Sequence, residues 1–145
     1  MKIGKWILVF MSVFTAVTPY LADWNETHIY NPYWTPHAKF HNAQTMIFGT
    51  LLGLLALFVI RFRKNISEKE RLIQVVFLVS LYWIAQLPAI LFPGTAFEDK
   101  EFQILPTILG VKMNQVILCF GFVFPIIITG FILEKRRISK TSQGL

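Results

Sequence analysis

All the histidine in this chain, His28, His37 and His41, falls within residues 23–41, together with Asp23, Glu26, Trp24 and Trp34. Imidazole beside carboxylate can move protons near neutral pH, and two imidazoles at i and i+4 on a helix can share one metal ion. His37 and His41 have that spacing, and Asp23, Glu26 or His28 could complete a shell for a divalent metal. The spacing alone is a weak signal. In zinc proteases a Glu follows the first His directly; here that position is Ala38, so that mechanism is absent. The preferred chemistry is therefore acid–base without a metal. Asp23 or Glu26 would act with His37 or His41 on an amphipathic substrate entering from lipid. A structural role competes with it, in which the carboxylates cap turns and pair with histidine or Lys39 to lock the segment. The segment holds no serine nucleophile, and the chain has no glycine-rich phosphate loop.

The elements that must position these groups follow from composition. The 145 residues are 54% hydrophobic and only 15% charged, and the apolar residues come in blocks. Four blocks, 6–22, 43–60, 72–92 and 108–133, approach the roughly 20 apolar residues a helix needs to cross a bilayer. None alternates apolar and polar positions as a half-buried strand would, and backbone groups in lipid must be satisfied within the segment. The expectation is an all-α fold: one integral membrane domain of four antiparallel transmembrane helices. Lys2 and Lys5 ahead of the first block also fit a signal peptide. Cleavage after Ala22, however, would put Tyr20 where a small residue is required, so an uncleaved helix is expected.

Helix starts are marked. Ser67-Glu68-Lys69-Glu70 is a capping box, and Thr35-Pro36 is an N-cap followed by proline at the first helical position. The second helix should then begin before its apolar part, with His37, His41, Gln44 and Phe48 forming one stripe. Gly49 and Gly53 have the spacing that lets two helices approach closely.

The net charge of +6 is explained by topology rather than by nucleic acid. Eleven of the fourteen basic residues lie before the first block, between the second and third, or after the fourth. Both termini should therefore be cytoplasmic, in a plasma or inner membrane, with residues 23–41 and the acidic stretch 97–102 outside. Gln44, Tyr82, Gln86 and Asn114 should line an outward-opening pocket, because polar groups within spans usually face a cavity or the bundle interior. Asn114, Gly121, Pro125 and Thr129 should form the inward face of the fourth helix, with Lys112 snorkelling on the opposite face. Cys119 is the single cysteine and cannot form an internal disulfide.

The stretch ADWNETHIYNPYWTPHAKFHNAQTM resembles the first loop and second-helix start of a family of small four-helix membrane proteins of unknown function. The pattern D-W-x-E-T-H, N-P-x-W and P-H-A-K-F-H is met by Asp23, Glu26, Thr27, His28, Asn31, Pro32, Trp34, Pro36, His37, Lys39 and His41. The resemblance implies a four-span layout and no activity. A fainter one, through that layout and Gln86-Leu87-Pro88, is to sterol isomerase and sigma-receptor-type four-helix proteins, whose helix-borne acidic pair has no counterpart within these spans. The functional expectation is a lipid-facing enzyme or binding protein that uses Asp23, Glu26, His28, His37 and His41 on a lipid-like ligand. The alternatives are an accessory subunit with a membrane protein partner, or a metal-binding protein through His37 and His41.

Overall fold

The computed structural model describes residues 2–142 and shows four long helices. They are α1 (Ile3–Asp23), α2 (Pro36–Phe62), α3 (Glu68–Ala89) and α4 (Gln115–Ser142), each long and apolar enough to cross a membrane. A two-residue antiparallel ladder, β1 (Thr107–Ile108) with β2 (Val111–Lys112), precedes α4. The helices run alternately up and down. α1 packs on α2 and α4, α2 on α3, and α3 on α4, with a smaller α1–α3 contact across the middle. The start of α1, the end of α4 and the short α2–α3 turn share one end, called here the terminal end. The α1–α2 loop and the long α3–α4 connection share the other, the loop end.

The helix starts form where the local chemistry provides caps. Thr35 Oγ1 accepts the Ala38 N–H at 3.3 Å, with Pro36 at the first helical position. Ser67 Oγ accepts the Glu70 N–H at 3.1 Å, and the Glu70 carboxylate returns to the Ser67 N–H at 2.9 Å. Both sites satisfy backbone donors that a helix leaves orphaned.

The packing is that of a membrane bundle. Large side chains such as Trp6, Phe10, Leu51, Phe58 and Phe77 cover the outside, while Met11, Val75, Val79, Trp83, Cys119 and Val123 fill the centre. Lipid tails are as apolar as leucine, so helices associate through close fit rather than through water exclusion. Gly49 and Gly53 supply that fit: Gly53 lies against the Ser12 carbonyl, and a Cβ on Gly49 would stand 2.8 Å from Pro19 Cγ. Thr50 Oγ1 bridges the same seam, donating to the Ala16 carbonyl at 3.1 Å. At the centre Trp83 stacks on Phe14 at 5.5 Å and donates its indole N–H to Thr15 Oγ1 at 2.9 Å.

The last span departs from the expected one. Residues 107–112 form the hairpin, turned at Leu109 and Gly110, which both have positive φ (50° and 78°). Thr107, Ile108 and Val111 are β-branched residues around a tight turn, so pairing wins over helix there. Lys112 consequently does not snorkel from a helix; it forms an ion pair with Glu98 in the preceding loop. The Lys112 ammonium holds the Glu98 carboxyl below the usual carboxylate range. The third helix likewise ends at Ala89, just past Pro88, rather than at residue 92.

The inward face of α4 also differs from expectation. Cys119, Val123, Ile127, Gly130 and Glu134 are buried, whereas Gly121, Pro125 and Thr129 are exposed. The Cys119–Val123 turn is π-helical, with the Phe124 N–H bonded to the Cys119 carbonyl. Pro125 has no N–H to give the Gly121 carbonyl, and the wider turn absorbs the missing bond. The register set above that turn points the apolar row, not the small and polar one, at α1 and α3.

Candidate functional site

The loop end of the bundle is built around two side chains that bind the backbone tightly. Asn25 Oδ1 accepts both the Thr27 N–H at 2.8 Å and the Thr27 hydroxyl at 2.6 Å, closing a turn straight after α1. Asn31 is fully buried; its amide donates to the Thr27 carbonyl at 3.1 Å and its oxygen accepts the Tyr33 N–H at 2.9 Å. A carboxylate from the α3–α4 connection completes this core. Asp99 Oδ2 accepts from Asn31 Nδ2 at 3.0 Å and from Trp34 Nε1 at 2.9 Å, latching the two loops together.

Asp99 was not foreseen as a positioning residue, because its partners are 65 and 68 positions away. Its removal has a defined expected outcome. Asp99→Ala leaves one N–H of buried Asn31 and the half-buried Trp34 indole N–H without this acceptor, at a total cost of about 1–3 kcal/mol. Limited proteolysis should then cut residues 24–35 faster than in the parent, whereas Glu101→Ala, at an exposed site, should leave the rate unchanged.

Asp23 and His28 come together on this scaffold. Asp23 ends α1 and is oriented by Asn42 of α2, whose amide donates to Oδ2 at 2.8 Å. His28 Nε2 lies 3.7 Å from Asp23 Oδ1, and its ring meets Trp34 edge-on at 5.1 Å. The hydrogen-bond order sets the imidazole tautomer. The Thr27 hydroxyl is spent on Asn25, so its oxygen accepts from His28 Nδ1–H at 2.6 Å. The free lone pair is then at Nε2, facing Asp23 across a gap too long for a direct hydrogen bond.

These two residues line a cavity of about 300 Å³ between α1, α3 and the start of α4, with Tyr82, Gln86, Trp83 and Leu118 among its walls. A neighbouring cavity of about 460 Å³, between α2 and α3, is lined by His41, Gln44 and Phe48. Thr45, Tyr82, Gln86 and Ala89 border both, so the two adjoin and are called here the lobes of one cleft. Gln115 also lines the first lobe.

The remaining expected residues are placed as follows. His37 Nε2 and His41 Nε2 are 3.1 Å apart, and His41 Nδ1 is 3.2 Å from Gln44 Oε1. Gln44 offers an acceptor, so His41 donates from Nδ1 and receives the His37 N–H at Nε2. This relay lies on the exposed face of α2, and His37 lines neither lobe. Glu26 is exposed and lines neither lobe. Among the described residues no three His, Cys, Asp or Glu side chains are grouped to hold a metal ion. The carboxylate or third imidazole expected beside His37 and His41 is therefore not at hand. Asn114 does not line the pocket; because α4 starts later than expected, it is the N-cap and accepts the Ile117 N–H at 3.1 Å.

No curated protein and no solved structure matches the chain. Neither the quoted loop pattern nor the sterol isomerase likeness thus has a counterpart among the matches. A family of unknown function (DUF6640) matches residues 7–143, from the first turns of α1 through the end of α4. The chain belongs to that family of unknown function.

Proposed function

We propose that the protein binds an amphipathic, lipid-like molecule in the two-lobed cleft and that Asp23 and His28 exchange a proton with its polar head. The observation that carries this reading is the Asp23–His28 pair on the wall of a largely apolar cleft, its 3.7 Å gap open to a polar atom of a ligand. A proton taken at His28 Nε2 would face the Asp23 carboxylate, whose other oxygen is already held by Asn42. Tyr82 and Gln86, which border both lobes, would orient the head, and apolar walls would take the tail. In this reading the termini are cytoplasmic and the cleft opens to the outer leaflet, as the lysine and arginine distribution supports. His41 and Gln44 would serve as polar contacts in the second lobe.

The test is lipid retention by the full chain purified in mild detergent, followed by native mass spectrometry. The parent should carry an amphiphile. Gln86→Leu, which removes the amide shared by both lobes, should reduce retention by about tenfold, the equivalent of roughly 1.4 kcal/mol. Asp23→Asn and His28→Gln should retain the amphiphile but lose the proton exchange with its head. Glu26→Gln and His37→Ala, outside the cleft, should behave as the parent. Equal retention by the parent and Gln86→Leu rejects the reading.

A second reading, an accessory subunit, is favoured by the hairpin tip. Leu109 is 99% exposed there, with Ile104, Ile108 and Val111 exposed beside it. Such a patch is a membrane or protein contact in the making.

A further inference from the structure

The basic residues gather at the terminal end, as membrane insertion alone would require. Insertion does not require them to converge on a cavity, yet they do. A cavity of about 490 Å³ opens between the ends of the four helices, and Lys2, Lys5, Arg61, Lys64, Arg71 and Arg137 stand around it. Glu68 and Glu134 also face it, and both are already engaged. Buried Glu134 accepts the Lys5 backbone N–H at 3.1 Å and Arg137 Nε at 3.0 Å. Glu68 accepts from Arg137 at 3.0 Å and from Arg71 at 3.5 Å. These bonds tie α1, α3 and α4 into a frame and occupy both acids. Lys2, Lys5, Arg61 and Lys64 make no ion pair among the described residues.

Leu8, Leu72 and Val75 form an apolar floor beneath these charges. Cations of one sign around a low-dielectric hollow focus a positive potential, and an anion seated there relieves their mutual repulsion. Guanidinium and ammonium groups side by side suit phosphate oxygens, the first by paired N–H donors and the second as a point charge. We infer that this cavity binds a phosphate-bearing anion through Lys5, Arg61 and Lys64. The chemistry is shared by an anionic phospholipid headgroup of the adjacent leaflet and by a soluble phosphate compound. The site lies at the opposite end from the cleft and does not rest on the reading given for it.

The test uses the full chain in phosphatidylcholine nanodiscs with melting temperature as the readout. In one arm phosphatidylinositol phosphate is added to the bilayer; in the other, inorganic pyrophosphate is added to the buffer. The melting temperature should rise by several degrees in at least one arm. A rise with lipid alone identifies the headgroup as the ligand, and a rise with pyrophosphate alone identifies a soluble one. Arg61→Gln combined with Lys64→Gln should weaken the apparent affinity by about tenfold or more, a loss of at least roughly 1.4 kcal/mol. Both side chains are exposed, neither is in an ion pair, and Arg61 touches only the exposed Phe62 ring beside it, so this variant should fold. Lys39→Gln combined with Lys100→Gln, at the loop end, should keep the full rise. No rise in either arm, or a rise that survives the Arg61 and Lys64 changes, overturns the inference.

Discussion

Gly53→Leu is expected to pull α1 away from α2 and to leave little monodisperse protein. A Cβ at this position would press on the Ser12 carbonyl and on the Ala16 backbone and methyl, and backbone of a packed helix has nowhere to retreat. Overpacking of a core usually costs about 1–3 kcal/mol, and a clash with backbone belongs at or above the top of that range. The loss is compounded because the seam is held by close contact and the Thr50 hydrogen bond, without water exclusion to drive the helices together. The neighbouring Thr50 bond to the Ala16 carbonyl would be strained at the same time. Gly121→Leu is the matched control, since nothing outside its own helical turn lies within 4 Å of a Cβ placed there. Detergent-resistant folding, followed by SDS titration of helicity, should fall sharply for the first variant and stay near the parent for the second. Equal midpoints for the two would mean that α1 and α2 do not pack as described.

Trp83→Ala should be the second most damaging change. The side chain is 2% exposed, stacked on Phe14, edge-on to Tyr82 at 5.2 Å, and part of the cleft wall. Truncating so large a buried ring costs about 3–5 kcal/mol where the surroundings cannot collapse. The hydrogen bond can be separated from the packing. Thr15→Val keeps the volume but leaves the indole N–H without its acceptor, which in a bilayer is worth about 0.6–1.7 kcal/mol. The same SDS titration should therefore rank Trp83→Ala well below Thr15→Val, and Thr15→Val modestly below the parent. A Thr15→Val effect as large as that of Trp83→Ala would move the stabilisation from packing to the hydrogen bond.

Much of the architecture was legible because it is written in local chemistry. The Thr35 and Ser67 caps act within three residues, and the Gly49 and Gly53 pair announces a close helix contact by spacing alone. The fourth span was less legible. Its apolar run continues back through Thr107–Lys112, and only the Leu109–Gly110 turn and the flanking β-branched residues mark the hairpin. Asn114 four residues before Leu118 could have been read as a cap. The inward face of α4 escaped because periodicity assumes a regular turn, and Pro125 imposes a wider one. Glu134 lies one residue past the expected end of the fourth span, and no local signal marks its burial against α1.

At the loop end, the sequence singled out residues 23–41 but not the grouping within them. His28 and Asp23 pair because the Asn25 and Asn31 turns bend the loop back over α1. His37 and His41 follow helical geometry instead: both are exposed on α2, and of the two only His41 borders the cleft. Asp99 has no local signature at all, since its role depends on a contact across two intervening helices.

That contact also orders the protein's birth. The loop carrying His28 leaves the ribosome long before Asp99 is translated, so for most of synthesis Asn31 and Trp34 have no carboxylate to hold them. The nascent loop can take its final shape only after the third helix has threaded and the following connection has emerged. The latch on Asn31 and Trp34 thus closes late, after α1, α2 and α3 have been made, whereas the Asn25 turn that brings His28 towards Asp23 needs no later residue.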